Sequence, residues 1–161
     1  MQVQLTQEFK QDAETIFTSY IDRSFVNKKL STLGSRNIEF ELTSKTADGI
    51  TINITHEVPS DVPRTLQKFI SPWSKVVQAE IWKANPDGTF ESYADVEVSG
   101  LPANIVGEFV ITPKAEGGST LVATTTVTCS IPLVGKILAK FVAEESNKSL
   151  AEEFAYIEEH V

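Results

Sequence analysis

Two hydrophobic periods divide the chain. Between residues 37 and 58 apolar side chains recur at every second position. Ile38, Phe40 and Leu42 alternate with Glu39, Glu41 and Thr43; then Ile50, Ile52, Ile54, His56 and Val58 alternate with Thr51, Asn53, Thr55 and Glu57. A period of two is that of a strand with one dry face, and Ala47-Asp48-Gly49 between the runs turns them into a hairpin. Val3, Leu5 and Phe9, interrupted at Gln7, predict a first strand ending near Lys10. Asp12 then offers an N-cap, and Ala13, Ile16, Phe17, Tyr20 and Ile21 fall at helical intervals that continue through Phe25 and Leu30 to Gly34. Two short helices, or one broken near Arg23-Ser24, both fit.

Residues 59–72 carry three prolines and read as a connection with a turn of helix over 65–69. Strands follow over 75–84 and 89–98 around Asn85-Pro86-Asp87-Gly88, and, after the break at Gly100-Leu101-Pro102, over 105–113 and 119–131 around Glu116-Gly117-Gly118. From Gly135 to about Glu159 the period returns to helical. Val134, Leu138, Phe141 and Val142 make one stripe. Leu150, Phe154, Ile157 and Val161 make another about a third of a turn away, so the helix bends near 145–149 or changes packing partner there.

This order, a strand, a helical segment, six further strands joined mainly by tight turns and one long helix, predicts an α+β fold. Short turns make successive strands antiparallel neighbours, and a sheet with one apolar face needs the long helix laid across it. A long sheet curls, and the space between a curled sheet and one helix is seldom filled by side chains, so a pocket is expected. No repeat or linker interrupts the pattern, and residues 1–161 read as one domain, a size that buries about 70% of the surface its unfolded chain exposes.

Composition narrows the partners. A net charge of −8 disfavours nucleic acid, whose affinity comes largely from clustered Lys and Arg, and repels an anionic membrane at long range. The single cysteine, Cys129, excludes an intramolecular disulfide. The N-terminus lacks the basic and apolar regions of a signal peptide, and no run approaches the roughly 20 apolar residues of a membrane span. The expectation is a cytoplasmic protein.

The phrases Glu57-Val58-Pro59, Gln78-Ala79-Glu80-Ile81-Trp82 and, most specifically, Ser130-Ile131-Pro132-Leu133-Val134-Gly135-Lys136 resemble the bacterial DUF2505 family, within the START-like or Bet v 1-like superfamily. The resemblance spans nearly the whole chain. It implies a helix-grip fold, a curved antiparallel sheet of about seven strands around a long C-terminal helix. It also implies a cavity for lipids, sterols, polyketides or other apolar small molecules, while some branches are cyclases or aromatases. The family supplies no established catalytic residues.

His56 shares a face with Ile50, Ile52 and Ile54, where a polar tip can orient a ligand oxygen or act as a base. Without a paired acid or nucleophile, it is more simply a residue hydrogen-bonded in the core or one at the strand end. Cys129 reads as a small core residue, and a Cys-His pair is disfavoured. The hydroxyls of Thr125 and Ser92 sit among apolar neighbours. Trp82 alternates with Gln78 and Glu80, which places it on a partly solvated face, whereas Phe69 and Trp73 in the proline-rich connection suit a gate. The acids Glu144-Glu145, Glu152-Glu153 and Glu158-Glu159 read as the solvated face of the last helix. With two distant histidines and no cysteine cluster, neither a metal nor a cofactor is expected.

The favoured reading is a binding module for an apolar small molecule. Its expected cavity is lined by Phe40, Ile52, Ile54 and His56 of the hairpin, Thr125 and Val127 of the last strand, Leu138, Phe141 and Val142 of the helix, with Phe69 and Trp73 at the mouth. A cyclase- or aromatase-like enzyme using His56, and a protein-interaction module using a sheet edge, including a homodimer, stay open.

Overall fold

The computed structural model describes residues 1–161. The chain runs β1 (Gln2–Phe9), α1 (Ala13–Ile21), α2 (Arg23–Thr32), β2 (Arg36–Thr46), β3 (Gly49–Pro59), a 3-10 turn (Arg64–Leu66), β4 (Trp73–Ala84), β5 (Phe90–Val98), β6 (Asn104–Pro113), β7 (Ser119–Thr128) and α3 (Gly135–His160). Asp12 caps α1, its Oδ1 accepting from the Thr15 amide at 2.8 Å. Asp22 does the same for α2, accepting from the Phe25 amide at 2.9 Å. The helical segment therefore breaks at Asp22, whose extended backbone ends α1 and starts α2.

All seven strands form one antiparallel sheet in the order β1-β7-β6-β5-β4-β3-β2. Strands β2 to β7 are a meander, and β1 closes against β7, so α1 and α2 carry the chain from one sheet edge to the other. The β2–β3 turn needs glycine: Gly49 has φ +146°, and a side chain there would start 2.8 Å from the Trp82 carbonyl oxygen. Edge strand β2 shifts register between Leu42 and Ser44, and Leu42, expected inside, ends at the rim with 40% of its surface exposed.

One sheet face is covered. α1 lies across β5 and β6, α2 against β2, and α3 along β1 and β7. The apolar side chains beneath them form two clusters. One gathers Phe9, Ile16, Phe17, Tyr20, Phe40, Ile50, Ile52, Ile54, Trp82, Ile111, Leu121, Phe154 and Ile157. The other gathers Leu66, Ile70, Ile105, Val127, Leu138 and Val142. The two stripes of α3 are thus explained by a change of partner: Leu138 and Val142 serve the second cluster, Phe154 and Ile157 the first.

Trp82 corrects an expectation. It is 1% exposed, packed against Phe17, Tyr20 and Phe109. Its alternation partners Gln78 and Glu80 therefore share the covered face, and polar groups lie inside rather than the indole outside. Gly135 lets α3 start close to the end of β7, because a β-carbon there would stand 2.7 Å from the Cys129 carbonyl oxygen. No helix is long and apolar enough to cross a membrane.

Candidate functional site

Between the two apolar clusters the covered face of the sheet changes character. Strand register sets Thr125, Gly107, Ala94, Glu80 and Ile52 side by side across β7, β6, β5, β4 and β3. Along β7, β6 and β5 this row has nothing larger than threonine. A methyl group added at Gly107 would meet nothing nearer than the Ala94 β-carbon at 4.0 Å, so the row has room for at least a methyl group there. Gly107, Gln78, Glu80, Val96 and Phe109 are half-buried although the helices cover their face.

Polar chemistry converges on this row. Glu80 Oε2 accepts from Trp82 Nε1 at 3.0 Å, while Oε1 makes no hydrogen bond within the protein and is not sealed from a water-sized molecule. Lys29, one turn after Val26 on the inner side of α2, is 2% exposed. Its Nζ lies 2.7 Å from Glu153 Oε1 of α3 and 4.6 Å from the centre of the Tyr20 ring. The Tyr20 ring stacks on Trp82 at 5.0 Å, and its hydroxyl is sealed without a partner.

Burial governs protonation here. Desolvation raises the Glu80 carboxyl above its ordinary range, opposed by the Trp82 hydrogen bond and the Lys29 ammonium, with Glu153 adding to the rise. Desolvation, helped by the charges of Glu153 and Glu80, raises the Tyr20 phenol well above its usual value, so it stays neutral. His56 is 6% exposed, and burial lowers its pKa against the effect of the Gln78 hydrogen bond. Its Nδ1 lies 2.9 Å from Ser35 Oγ and its Nε2 3.2 Å from Gln78 Oε1. The amide oxygen selects the neutral tautomer with the proton on Nε2, which leaves Nδ1 to accept from the serine hydroxyl.

The expected site residues fall in different places. Phe40, Ile52 and Ile54 belong to the first cluster, Val127, Leu138 and Val142 to the second, with Phe69 and Phe141 packed at the margin of the second. Thr125 lies between the clusters on the row of small side chains. His56 is inside, with both ring nitrogens occupied by protein partners. Trp73 is 39% exposed, its ring 3.7 Å beneath the Arg36 guanidinium, itself paired with Glu57 at 2.9 Å. Cys129 is half-buried in an open groove of about 750 Å³ at the exit of β7, along with Glu97 and Leu101, and does not pair with His56.

Sequence reasoning missed Lys29, Glu80, Glu153 and Tyr20 as a group. Glu153, read as solvated, instead faces Lys29 across the gap between α2 and α3. The signals were faint: a lysine one turn after a buried valine, and a glutamate beside the core residue Phe154. The arrangement can hold and orient a polar group against a dry wall. No group of three or more His, Cys, Asp or Glu side chains is placed to hold a metal ion.

A family model spans this geometry from end to end, matching residues 4–161. The chain belongs to the DUF2505 family, described as proteins of unknown function. No curated protein matches the sequence of this DUF2505 member. Solved structures do match it in shape. TTHA0849 from Thermus thermophilus is 16% identical, with a TM-score of 0.65 over 99% of this chain and 95% of its own. Human STARD10 is 11% identical, with a TM-score of 0.65 over 99% of this chain and 64% of its own. Norcoclaurine synthase from Thalictrum flavum, in complex with dopamine and hydroxybenzaldehyde, is 15% identical, with a TM-score of 0.58 over 100% of this chain and 88% of its own. At these identities the likeness concerns the fold: this DUF2505 protein has the helix-grip architecture of START and Bet v 1-like proteins.

Proposed function

We propose that this DUF2505 protein binds a small, largely apolar molecule between the covered sheet face and α3, with the molecule's polar end at Glu80. The observation that carries the reading is the row of small side chains at Thr125, Gly107 and Ala94, ending at a carboxylate oxygen with no protein partner. A buried charged trio is poor use of an interior if stability alone is served, because apolar side chains of similar volume stabilise as well or better. A ligand that supplies the missing hydrogen bond explains both the space and the charge. The norcoclaurine synthase complex supports the reading by analogy, since that protein of the same fold holds small aromatic molecules. Binding is favoured over cyclase-like catalysis because His56, the one candidate base singled out in the sequence, spends both nitrogens on Ser35 and Gln78.

Native mass spectrometry of protein purified from its own source tests this. A defined added mass that disappears on denaturation is the expected result. An apo mass, together with no change in Trp82 fluorescence on titration with apolar probes in a Trp73→Phe background, would refute the reading. Trp82 is the suitable reporter because its Nε1 is bonded to Glu80 itself.

A further inference from the structure

With Glu80 ionised, a state that its burial disfavours until a cation joins it, the charges around the row do not balance. Lys29 is the one ammonium among them, and it is committed to Glu153 at 2.7 Å. Glu80 is left with a single neutral donor, the Trp82 indole, and an unpartnered Oε1. His56 adds no positive charge, because burial disfavours its protonated form and its ring satisfies Ser35 and Gln78 as a neutral group. Tyr20 stays a neutral phenol, and its unpartnered hydroxyl, on a residue only 5% exposed, sits in the field of both carboxylates. The Tyr20 hydroxyl, the sealed side-chain atom of this group that lacks a partner, can donate or accept.

Resting on the binding reading above, we infer that the ligand's polar end is a cationic hydrogen-bond donor, a primary or secondary amine, held by Glu80 Oε1. An ammonium brings the charge missing from the trio and an N–H donor for the unpartnered Glu80 Oε1. A carboxylate or phosphate end would meet Glu80 and Glu153 with no free cation to receive it.

Three fluorescent probes with the same body, a dansyl group on an octyl chain, ended in an ammonium, a hydroxyl or a carboxylate, separate the alternatives at neutral pH. The ammonium probe is expected to bind about tenfold or more tightly than the hydroxyl probe, the range of one charge-assisted hydrogen bond, and the carboxylate probe more weakly than both. In Glu80→Gln both probes weaken, the ammonium probe by more, so that the ratio of their affinities falls towards one; a ratio that stays at about tenfold overturns the assignment to Glu80. A carboxylate probe binding as well as the ammonium overturns the amine assignment and leaves the binding reading standing. Failure of all three to bind overturns both. The ranking on the unaltered protein needs no variant to fold, and circular dichroism with a melting curve qualifies Glu80→Gln before its affinities are compared.

Discussion

Replacing Lys29 by methionine probes whether the interior around Glu80 is dry. Methionine keeps most of the stem length and apolar volume, so the substitution removes a charge with little change in packing. It leaves Glu153 without its 2.7 Å partner and Glu80 without the nearby ammonium that opposes its desolvation. Removing one member of a buried pair typically costs about 3–5 kcal/mol, because the other charge stays behind unpaired. The Glu153 side chain retains 18% of its exposure, against 3% for that of Lys29, so water can partly re-solvate the orphan. The lower end, about 3 kcal/mol, is therefore expected. For a chain of this size each kcal/mol shifts the melting temperature by about 2–4 °C, which makes a loss of about 6–12 °C. The double variant Lys29→Met/Glu153→Gln removes the Glu153 orphan, leaving only Glu80 to feel the lost ammonium, and recovers most of the loss, to within about 1 kcal/mol of the unaltered protein. Urea unfolding of the four proteins in this cycle measures both numbers. A single-variant cost below about 1 kcal/mol, the range of an exposed pair, would refute the claim that the trio is desolvated.

Further outcomes follow from the packing, the caps and the buried titratable groups. Ile52→Ala empties a position with no exposure beside Glu80 and is expected to cost about 2–5 kcal/mol in equilibrium unfolding; a cost below about 1 would mean the cluster collapses around the gap. Asp22→Ala removes the acceptor that starts α2, lowering stability by about 1 kcal/mol, while Asp22→Asn retains most of it. His56 has a folded-state pKa below its reference value of 6.5, so the unfolded chain binds its proton first as pH falls, and stability drops below about that pH. His56→Gln flattens this slope in unfolding midpoints measured across acidic pH, and an unchanged slope would show that the ring is not buried as a neutral group. Glu80 works in the opposite direction: its raised carboxyl is protonated more readily in the folded state, so it contributes loss of stability as pH rises above the ordinary carboxylate value of 4.5.

The sequence by itself determined the elements and their order. Alternation marks strands because successive side chains of an extended backbone point to opposite faces. Gly49 and Asp12 mark a turn and a cap because positive φ and orphaned amides are local demands on single residues. From elements joined by short turns, the antiparallel sheet and the covering helix follow. The same local rules could not decide which face of β4 is inside, since Gln78, Glu80 and Trp82 share one side and their polarities argue opposite ways. Nor could they say that Lys29, on a short helix near the N-terminus, meets Glu153 near the C-terminus; neither residue carries a local trace of the other. His56 was legible as inward-facing, yet its partner Ser35 comes from the loop before β2, and only the assembled sheet brings Gln78 beside it. Tertiary structure decided these pairings because the energy of a buried charge depends on what surrounds it in space, whereas the periodicity of a strand depends only on its own backbone.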